Sequence, residues 1–493
     1  MTPASPPGPS RIDVAAFEEL VADLVADGRV VHVQRIPARP ARHAPLAVPL
    51  PPDIDRCLPG GSAESLWSHQ AQAIDRLRRG EHVVVATGTA SGKSLCYQVP
   101  IAEAVADRIR PGTALVLGPT KALAQDQTRA FTEAGFPGVV AATYDGDCST
   151  AERTWVREHA NVVFTNPEML HAGLLPNHRR WARLFMRLRY VVVDELHVLR
   201  GVFGTHVAHL LRRLRRICDI YGSSPTFVFS SATIGAPGRL ASDLCGLPVT
   251  EIVDDGSPRG ERVVALLNPP LLDEDDGIRT SANSETASVT ARLVGAGHRT
   301  IAFCRSRKGT ELVAADVRRR LPPDEQDLVR PYRAGYLAAE RREIEAELFG
   351  GHLRGVVATS ALELGVDIGG LDACVLNGFP GTIASFWQQV GRAGRDQRAS
   401  LAVLVAGDDQ LDQWLLAHPL EVFTRPPEPA VVNLANPFIL HPHLACAAFE
   451  RPLSHGDERY WPDLLDDGVR HLVQDDLLQV RAGPRNSSPR AVW

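Results

Sequence analysis

No two cysteines of this chain are spaced to share a metal. The eight, at 57, 96, 148, 218, 245, 304, 374 and 446, are scattered, with no Cys-x-x-Cys pair. That argues against a zinc site and against a disulfide framework. They read as reduced thiols, mostly in cores, of a cytoplasmic protein. Long apolar runs are missing too. None approaches the roughly 20 residues a membrane helix requires, so no membrane association is expected. The amino terminus, Met1-Thr2-Pro3-Ala4-Ser5-Pro6-Pro7-Gly8-Pro9, has neither the basic start nor the apolar stretch of a secretory signal. It reads as a disordered tail. A dominant charge is also lacking: 53 Lys and Arg against 58 Asp and Glu leave a net charge of −5. Any phosphate-binding surface must therefore be local, a groove rather than a whole-protein field.

What is present is a long globular sequence. Its 493 residues predict two to four domains. A hydrophobic content of 44% with 23% charged residues fits packed cores. Helical spacing covers Ile12–Ala26, and the Pro- and Arg-rich stretch Val30–Pro59 reads as extended. From about Ser65, apolar strand candidates alternate with helices: His82–Ala86, Ala114–Leu117, Val139–Thr143, Val162–Thr165, Tyr190–Asp194 and Thr226–Ser230. Asp254–Gly260 reads as a linker. A second alternating set follows: Arg262–Leu267, Thr300–Cys304, Val329–Tyr332, Gly355–Ala358, Ala373–Leu376 and Leu401–Ala406. Asp273–Glu285 is acidic and reads as a surface loop. Short continuous apolar strands alternating with helices predict α/β architecture, with parallel sheets covered on both faces. Asn433–Arg481 reads as mostly helical, and Gly483–Trp493 as a tail or a truncated end.

The chemistry starts at Thr87-Gly88-Thr89-Ala90-Ser91-Gly92-Lys93-Ser94, directly after the strand Val83–Ala86. Glycines let backbone N–H groups close around phosphate oxygens, and the following helix start adds positive potential. Lys93 is expected on the β/γ-phosphates and Ser94 on Mg²⁺. Thr87 stands where the strict phosphate-loop pattern has its first glycine, with Gly88 beside it. A second strand ends in Asp194-Glu195-Leu196-His197, which places two carboxylates at the sheet's carboxyl edge. Asp194 is expected to hold Mg²⁺, and Glu195 to orient or deprotonate the attacking water. His197 is expected to couple this site to Ser231-Ala232-Thr233, and Gln70 to read adenine. In the second half, Thr359–Ile368 follows a strand, and Gly365 permits close backbone approach. Arg392 and Arg395, three apart, share a helix face as arginine fingers do. Such fingers supply roughly 10³–10⁵ in rate. Arg212, Arg213, Arg215 and Arg216 read as a solvated helix face rather than a nucleic-acid patch, and Trp387 as packing.

These segments, in order from Trp67 to Arg395, resemble the motifs of superfamily 2 helicases with a DExH box. The ordered set is Gln70, the phosphate loop, Pro119–Leu123, Thr165–Glu168, Asp194–His197, Ser231–Thr233, Phe303–Ser306, Thr359–Asp367 and Gln388–Arg395. Tyr144-Asp145-Gly146-Asp147, Phe203-Gly204-Thr205-His206-Val207 and Arg333-Ala334-Gly335-Tyr336 make it similar to the MrfA-type bacterial DNA-repair helicases, which include the SftH type and are related to RecQ-like enzymes.

That resemblance implies two RecA-like lobes with an ATP cleft between them, plus a winged-helix-like end. It implies boundaries at 1–56 (partly disordered extension), 57–253, 254–261 (linker), 262–425 and 426–493. The implied cofactors are ATP and Mg²⁺, with Gly365 and Asp367 added to the ATP contacts and Gln388 to the coupling residues. The implied partner is single-stranded or tailed duplex DNA, touched by Thr120, Lys121, Thr165, Asn166, Arg305 and Thr359. The implied activity is ATP-driven 3′→5′ translocation and unwinding in DNA repair. A DExH RNA helicase and an ATP-switched clamp are the alternatives. Family members usually end in a four-cysteine zinc domain. Only Cys446 lies beyond the second lobe, so that domain is expected to be absent, the chain being either truncated or a naturally short form.

Overall fold

The chain first builds a helix, Val14–Ala26, and a strand, β1 (Val30–Ile36), and uses neither in the lobe that follows. The computed structural model describes residues 14–273, 278–333, 335–363, 370–394, 398–481 and 491–492. Gly365, Asp367, Arg395 and the stretch Met1–Pro9 lie outside them.

The first compact unit gathers Arg42–Thr87, Ser91–Gly256 and the residues from Pro429 onward. Its strands are β2 (Val83–Ala86), β3 (Thr113–Leu117), β4 (Ala141–Thr143), β5 (Val162–Thr165), β6 (Leu188–Val193), β7 (Thr226–Ser231) and β8 (Thr250–Ile252). They form one parallel sheet in the order β4-β5-β3-β6-β7-β2-β8. Every residue of β2, β3 and β5 is buried, because helices cover both faces. Helix starts follow local chemistry. Thr120 accepts from the Leu123 amide ahead of the Lys121–Glu133 helix, and Ser149 with Glu152 forms a reciprocal capping box.

The second unit's strands are β9 (Arg262–Leu267), a short hairpin β10 (Leu271–Asp273) with β11 (Ile278–Arg279), then β12 (Thr300–Cys304), β13 (Val329–Tyr332), β14 (Gly355–Ala358), β15 (Ala373–Asn377) and β16 (Ser400–Val405). The main sheet runs β1-β9-β16-β15-β12-β14-β13, parallel throughout except for β1. The expected amino-terminal extension is thus the antiparallel edge strand of the second lobe. Phe17, Val21 and Leu24 of its helix pack against Val263, Ala265 and Leu267 of β9 in one core. The expected acidic loop is also shorter than read. A helix begins at Ala282, capped by Ser281. Glu285 is buried there, because Arg29 reaches it at 2.9 Å.

The carboxy-terminal segment builds helices Pro437–Glu450 and Leu465–Gln474 around a core that includes Leu444, Tyr460 and Trp461. The expected helical character holds. Val480–Arg481 pairs with Ala491–Val492, so part of the expected tail forms a short ladder. The segment is seated on the Gly201–Ile220 helix of the first unit. Gly201 N–H donates to the Val431 carbonyl at 2.8 Å, and Asn433 N–H to Thr205 Oγ1 at 3.0 Å.

This seating overturns the solvated reading of the arginine cluster. Arg212, Arg213 and Arg216 are buried. Arg213 is fully enclosed and forms a two-point ion pair with Glu450. It also donates to His171 Nδ1 at 2.8 Å and to His443 Nδ1 at 3.2 Å. Arg216 pairs with Asp457 at 2.7 Å and donates to the carbonyls of Ala447, Arg451 and Pro452. Helical spacing did spread the arginines around the helix. What covers that helix is the carboxy-terminal segment, about 230 residues downstream.

Candidate nucleotide site and nucleic-acid contacts

Three adjacent strands, β6, β7 and β2, bring Lys93, Asp194 and Glu195 to one sheet edge. β2 feeds the loop Thr87–Gly92, and the Lys93–Ala106 helix starts at once. Gly92 adopts φ 62°, and a Cβ there would lie 2.6 Å from Gln70 Nε2 and 2.9 Å from the Trp67 ring. Only glycine satisfies both demands. Thr87, at the missing-glycine position, is buried and joins its hydroxyl to that of Ser91 at 2.6 Å. The departure from the strict pattern is therefore a clasp across the loop. Lys93 donates to the Thr87 carbonyl at 3.1 Å. Its enclosure pushes its pKa down, and the carboxylates of Glu195 and Asp194 oppose that shift. Ser94 Oγ lies 3.4 Å from Gln127 Oε1.

Asp194 and Glu195 follow β6. Burial raises the Asp194 pKa, the Glu195 charge raises it further, and a hydrogen bond from Ser230 opposes both. Two carboxylates this close, facing a lysine, form a site suited to a cation. Glu195 sits in the left-handed region at φ 54°, where a residue with a Cβ is strained. This turn aims consecutive side chains differently, and such strain clusters at functional sites. His197 is buried, with Nδ1 3.4 Å from Glu195 Oε2.

Sequence reasoning missed Ser230. The pattern favoured Ser231 and Thr233, yet Ser231 points its hydroxyl into the interior, where it meets no hydrogen-bond partner, and Thr233 is exposed. Along a strand, neighbours face opposite sides, so only one of two consecutive serines meets Asp194. His69 was also missed: its Nε2 lies 2.9 Å from the Ser91 carbonyl. Gln70 accepts from Trp67 N–H and donates to the Gly92 carbonyl, both at 2.9 Å, so its amide braces the phosphate loop.

In the second unit, Arg392 is buried at the end of the Ile383–Val390 helix and donates to the Glu363 carbonyl. Gln389, beside the buried Gln388, donates to the Glu363 carboxylate at 2.9 Å. Glu363 is a further residue that the sequence reading left unassigned. Trp387 packs on Phe386 and Phe423, as expected.

The residues expected to touch nucleic acid are placed unequally. Lys121 is partly exposed and pairs with Asp147 at 2.7 Å. Thr120 and Asn166 cap helices, and Thr359 caps a 3₁₀ turn. Thr165 is fully buried and donates to the Tyr144 carbonyl at 2.6 Å, so its hydroxyl lies inside rather than on a surface. Arg305 is held by Asp409 at 2.7 Å and by the buried Asp412 at 2.6 Å.

Comparisons with known proteins agree with this architecture. Residues 67–239 match the DEAD/DEAH box helicase family, 285–397 the helicase conserved C-terminal domain, and 432–491 the winged helix domain of ATP-dependent helicase HRQ1. The uncharacterized ATP-dependent helicase YprA of Bacillus subtilis is 42% identical over 95% of this chain and 63% of its own length. ATP-dependent helicase HRQ1 of Saccharomyces cerevisiae is 41% identical over 91% of this chain and 43% of its own. A crystal structure of the DUF1998 helicase MrfA bound to DNA superposes with a TM-score of 0.89 at 41% identity, over 95% of this chain and 63% of that one. The chain therefore spans from under half to about two thirds of the length of these relatives. With two RecA-like lobes, the ordered motifs and an HRQ1-type winged helix, this chain belongs to the superfamily 2 helicases of the MrfA type.

Proposed function

We propose that this protein is an ATP-driven DNA translocase and helicase, moving 3′→5′ along single-stranded DNA and opening duplex during DNA repair. One observation carries the ATP reading: Lys93 after β2 and the Asp194–Glu195 pair after β6 flank β7 at a single sheet edge. The residues present fit Mg²⁺. Asp194 is a half-buried carboxyl beside a second acid, and Ser94 lies in the first turn of the helix after the loop. Those two would hold the ion, which supplies charge neutralisation on the phosphates.

The chain's own groups then divide the work. Lys93 and the loop amides hold the phosphates, and the Thr87–Ser91 clasp keeps the loop closed around them. Glu195 orients or deprotonates the attacking water. Arg392, Arg395, Gly365, Asp367 and Gln388 are the second-lobe residues that the family resemblance assigns to the nucleotide and to coupling. Gln70 reads the adenine edge. Lys121 and the helix starts at Thr120 and Asn166 meet the DNA backbone, which gives affinity without sequence preference. The relative solved with DNA and AMPPNP supports a strand and a nucleotide bound together.

The test is steady-state ATP hydrolysis with and without single-stranded DNA, using RNA of equal length as the second arm. Stimulation by DNA, abolished in Lys93→Ala and in Glu195→Gln, is expected. Wild-type rates in both variants would overturn the site. Strand displacement of a tailed duplex then separates a helicase from a clamp.

A further inference from the structure

We infer that His69 is a positioning residue for ATP hydrolysis, tying the segment that connects the two units to the phosphate loop. The inference rests on the ATP reading above. His69 is fully buried, yet both ring nitrogens are spent on backbone groups of two separate segments. Nδ1 accepts from Gly256 N–H at 3.2 Å, so the proton sits on Nε2, which donates to the Ser91 carbonyl at 2.9 Å. A histidine kept only for packing would need neither bond, because an apolar side chain fills such space without desolvating two nitrogens.

Each end of this link is tightly built. At the loop, the Ser91 hydroxyl clasps Thr87, whose carbonyl accepts from Lys93. A shift of the Ser91 carbonyl therefore reaches the lysine through one clasp. At the connecting segment, Gly256 lies flush on the start of the Ser68–Arg78 helix. A Cβ there would come within 2.2 Å of Ser68 Oγ and 2.9 Å of the Arg42 carbonyl. Arg42 N–H donates to the Gly256 carbonyl at 2.9 Å, and Ser68 N–H to the Arg42 carbonyl at 2.8 Å. Further along, Arg39 and Arg259 exchange two backbone bonds of 2.8 Å. The connection is thus two antiparallel segments, 39–42 beside 256–259, and His69 touches one of them. The carboxylate of Asp255 stands 3.9 Å from Nδ1. Glycine at 256 and histidine at 69 together let a displacement of the connecting segment reach the phosphate loop.

The two bonds can be cut separately. In His69→Asn the amide reaches toward Gly256 but not to Ser91. In His69→Gln it reaches Ser91 but leaves Gly256 N–H without its acceptor. Binding of a fluorescent non-hydrolysable ATP analogue and ATPase kinetics with and without oligo-dT are measured on the full chain. His69→Asn is expected to weaken nucleotide binding about tenfold, the usual effect of losing a buried hydrogen bond. His69→Gln is expected to raise KM by less than about threefold while stimulation of kcat by the strand falls about tenfold. Gly256→Ala should reproduce the second pattern. Wild-type behaviour in both His69 variants, or equal losses in both alongside a lowered Tm, would overturn the inference. Lys93→Ala is the control for the ATP reading. If it binds the analogue as wild type does, the ATP site itself is wrong. If it loses binding while the His69 variants do not, only this inference falls.

Discussion

The amino-terminal segment enters the second unit through apolar side chains and a strand ladder; the carboxy-terminal segment enters the first through buried charge. Phe17, Val21 and Leu24 share an apolar core with β9, β1 adds backbone bonds along the sheet edge, and the ion pairs on this side, Arg29 with Glu285 and Asp23 with Arg292, each keep one partner at least partly exposed. At the other joint, Arg213 and Glu450 are enclosed among His171, His206, His209 and His443. The first joint draws on the hydrophobic effect, which is tolerant of shape and non-directional. The second is directional. Its charges are tolerable only while every partner is in place, since removing one leaves a buried ion alone. Apolar contacts therefore secure attachment, and the polar joint fixes one seating of the winged-helix segment.

The largest expected effect breaks the polar joint. Glu450→Ala strands the Arg213 guanidinium and should cost about 4 kcal/mol of first-unit stability in urea unfolding. Replacing both partners, as Arg213→Met with Glu450→Leu, should recover most of that loss. If the single variant is neutral, the joint is not a matched pair. Next is the apolar joint: Phe17→Ala should cost about 3 kcal/mol in the second unit, through lost burial and a cavity. A neutral result there would mean that the helix is only loosely docked.

A pH series separates the two joints without mutation. Burial and the Arg213 charge push the His443 pKa down to about 2, and burial, then Arg212, pushes His209 to about 3. The unfolded chain takes up these protons near pH 6.5 and the folded chain does not. Stability from both histidines is thus complete above pH 6.5 and is lost as the pH falls below it. The slope is at most about 1.4 kcal/mol per pH unit for each histidine. Thermal melts at pH 7 and pH 5.5 should show the first unit weakening more than the second. Equal slopes in the two units would refute it. The smallest effect expected is Arg35→Ala, which removes an exposed ion pair with Glu18 on the amino-terminal segment and should leave Tm unchanged.

The same contrast explains which features were legible in the sequence. Apolar runs such as Val83–Ala86 and Tyr190–Val193 declare buried parallel strands, because few other settings accept four consecutive apolar residues bounded by turn signals. The phosphate loop and Asp194–Glu195 are legible for a related reason: each occupies a strand end, where backbone geometry requires particular residue types. Ser230 and His69 are illegible. Nothing local distinguishes Ser230 from Ser231, or a histidine bonded to a loop 22 residues away from one in a core. Arg213 misleads outright, since an arginine on a helix usually faces water. Thr165 and Arg305 show the limit from the other side: their residue types suit phosphate, and the fold gives their polar atoms other partners.

By itself the sequence determined the two α/β lobes, most of their strands and the position of Lys93, Asp194 and Glu195 just after strand ends. These follow from periodicity and from motifs shorter than one strand–turn–helix unit. Only the tertiary structure decided that the amino terminus completes the second sheet, that the carboxy terminus seats on the first lobe, and that His69 links the connecting segment to the loop. Each of these is a pairing between residues far apart in the chain. Local propensity carries no information about such pairings, because what selects a distant partner is complementary burial and the satisfaction of polar atoms, and both exist only once the chain has folded.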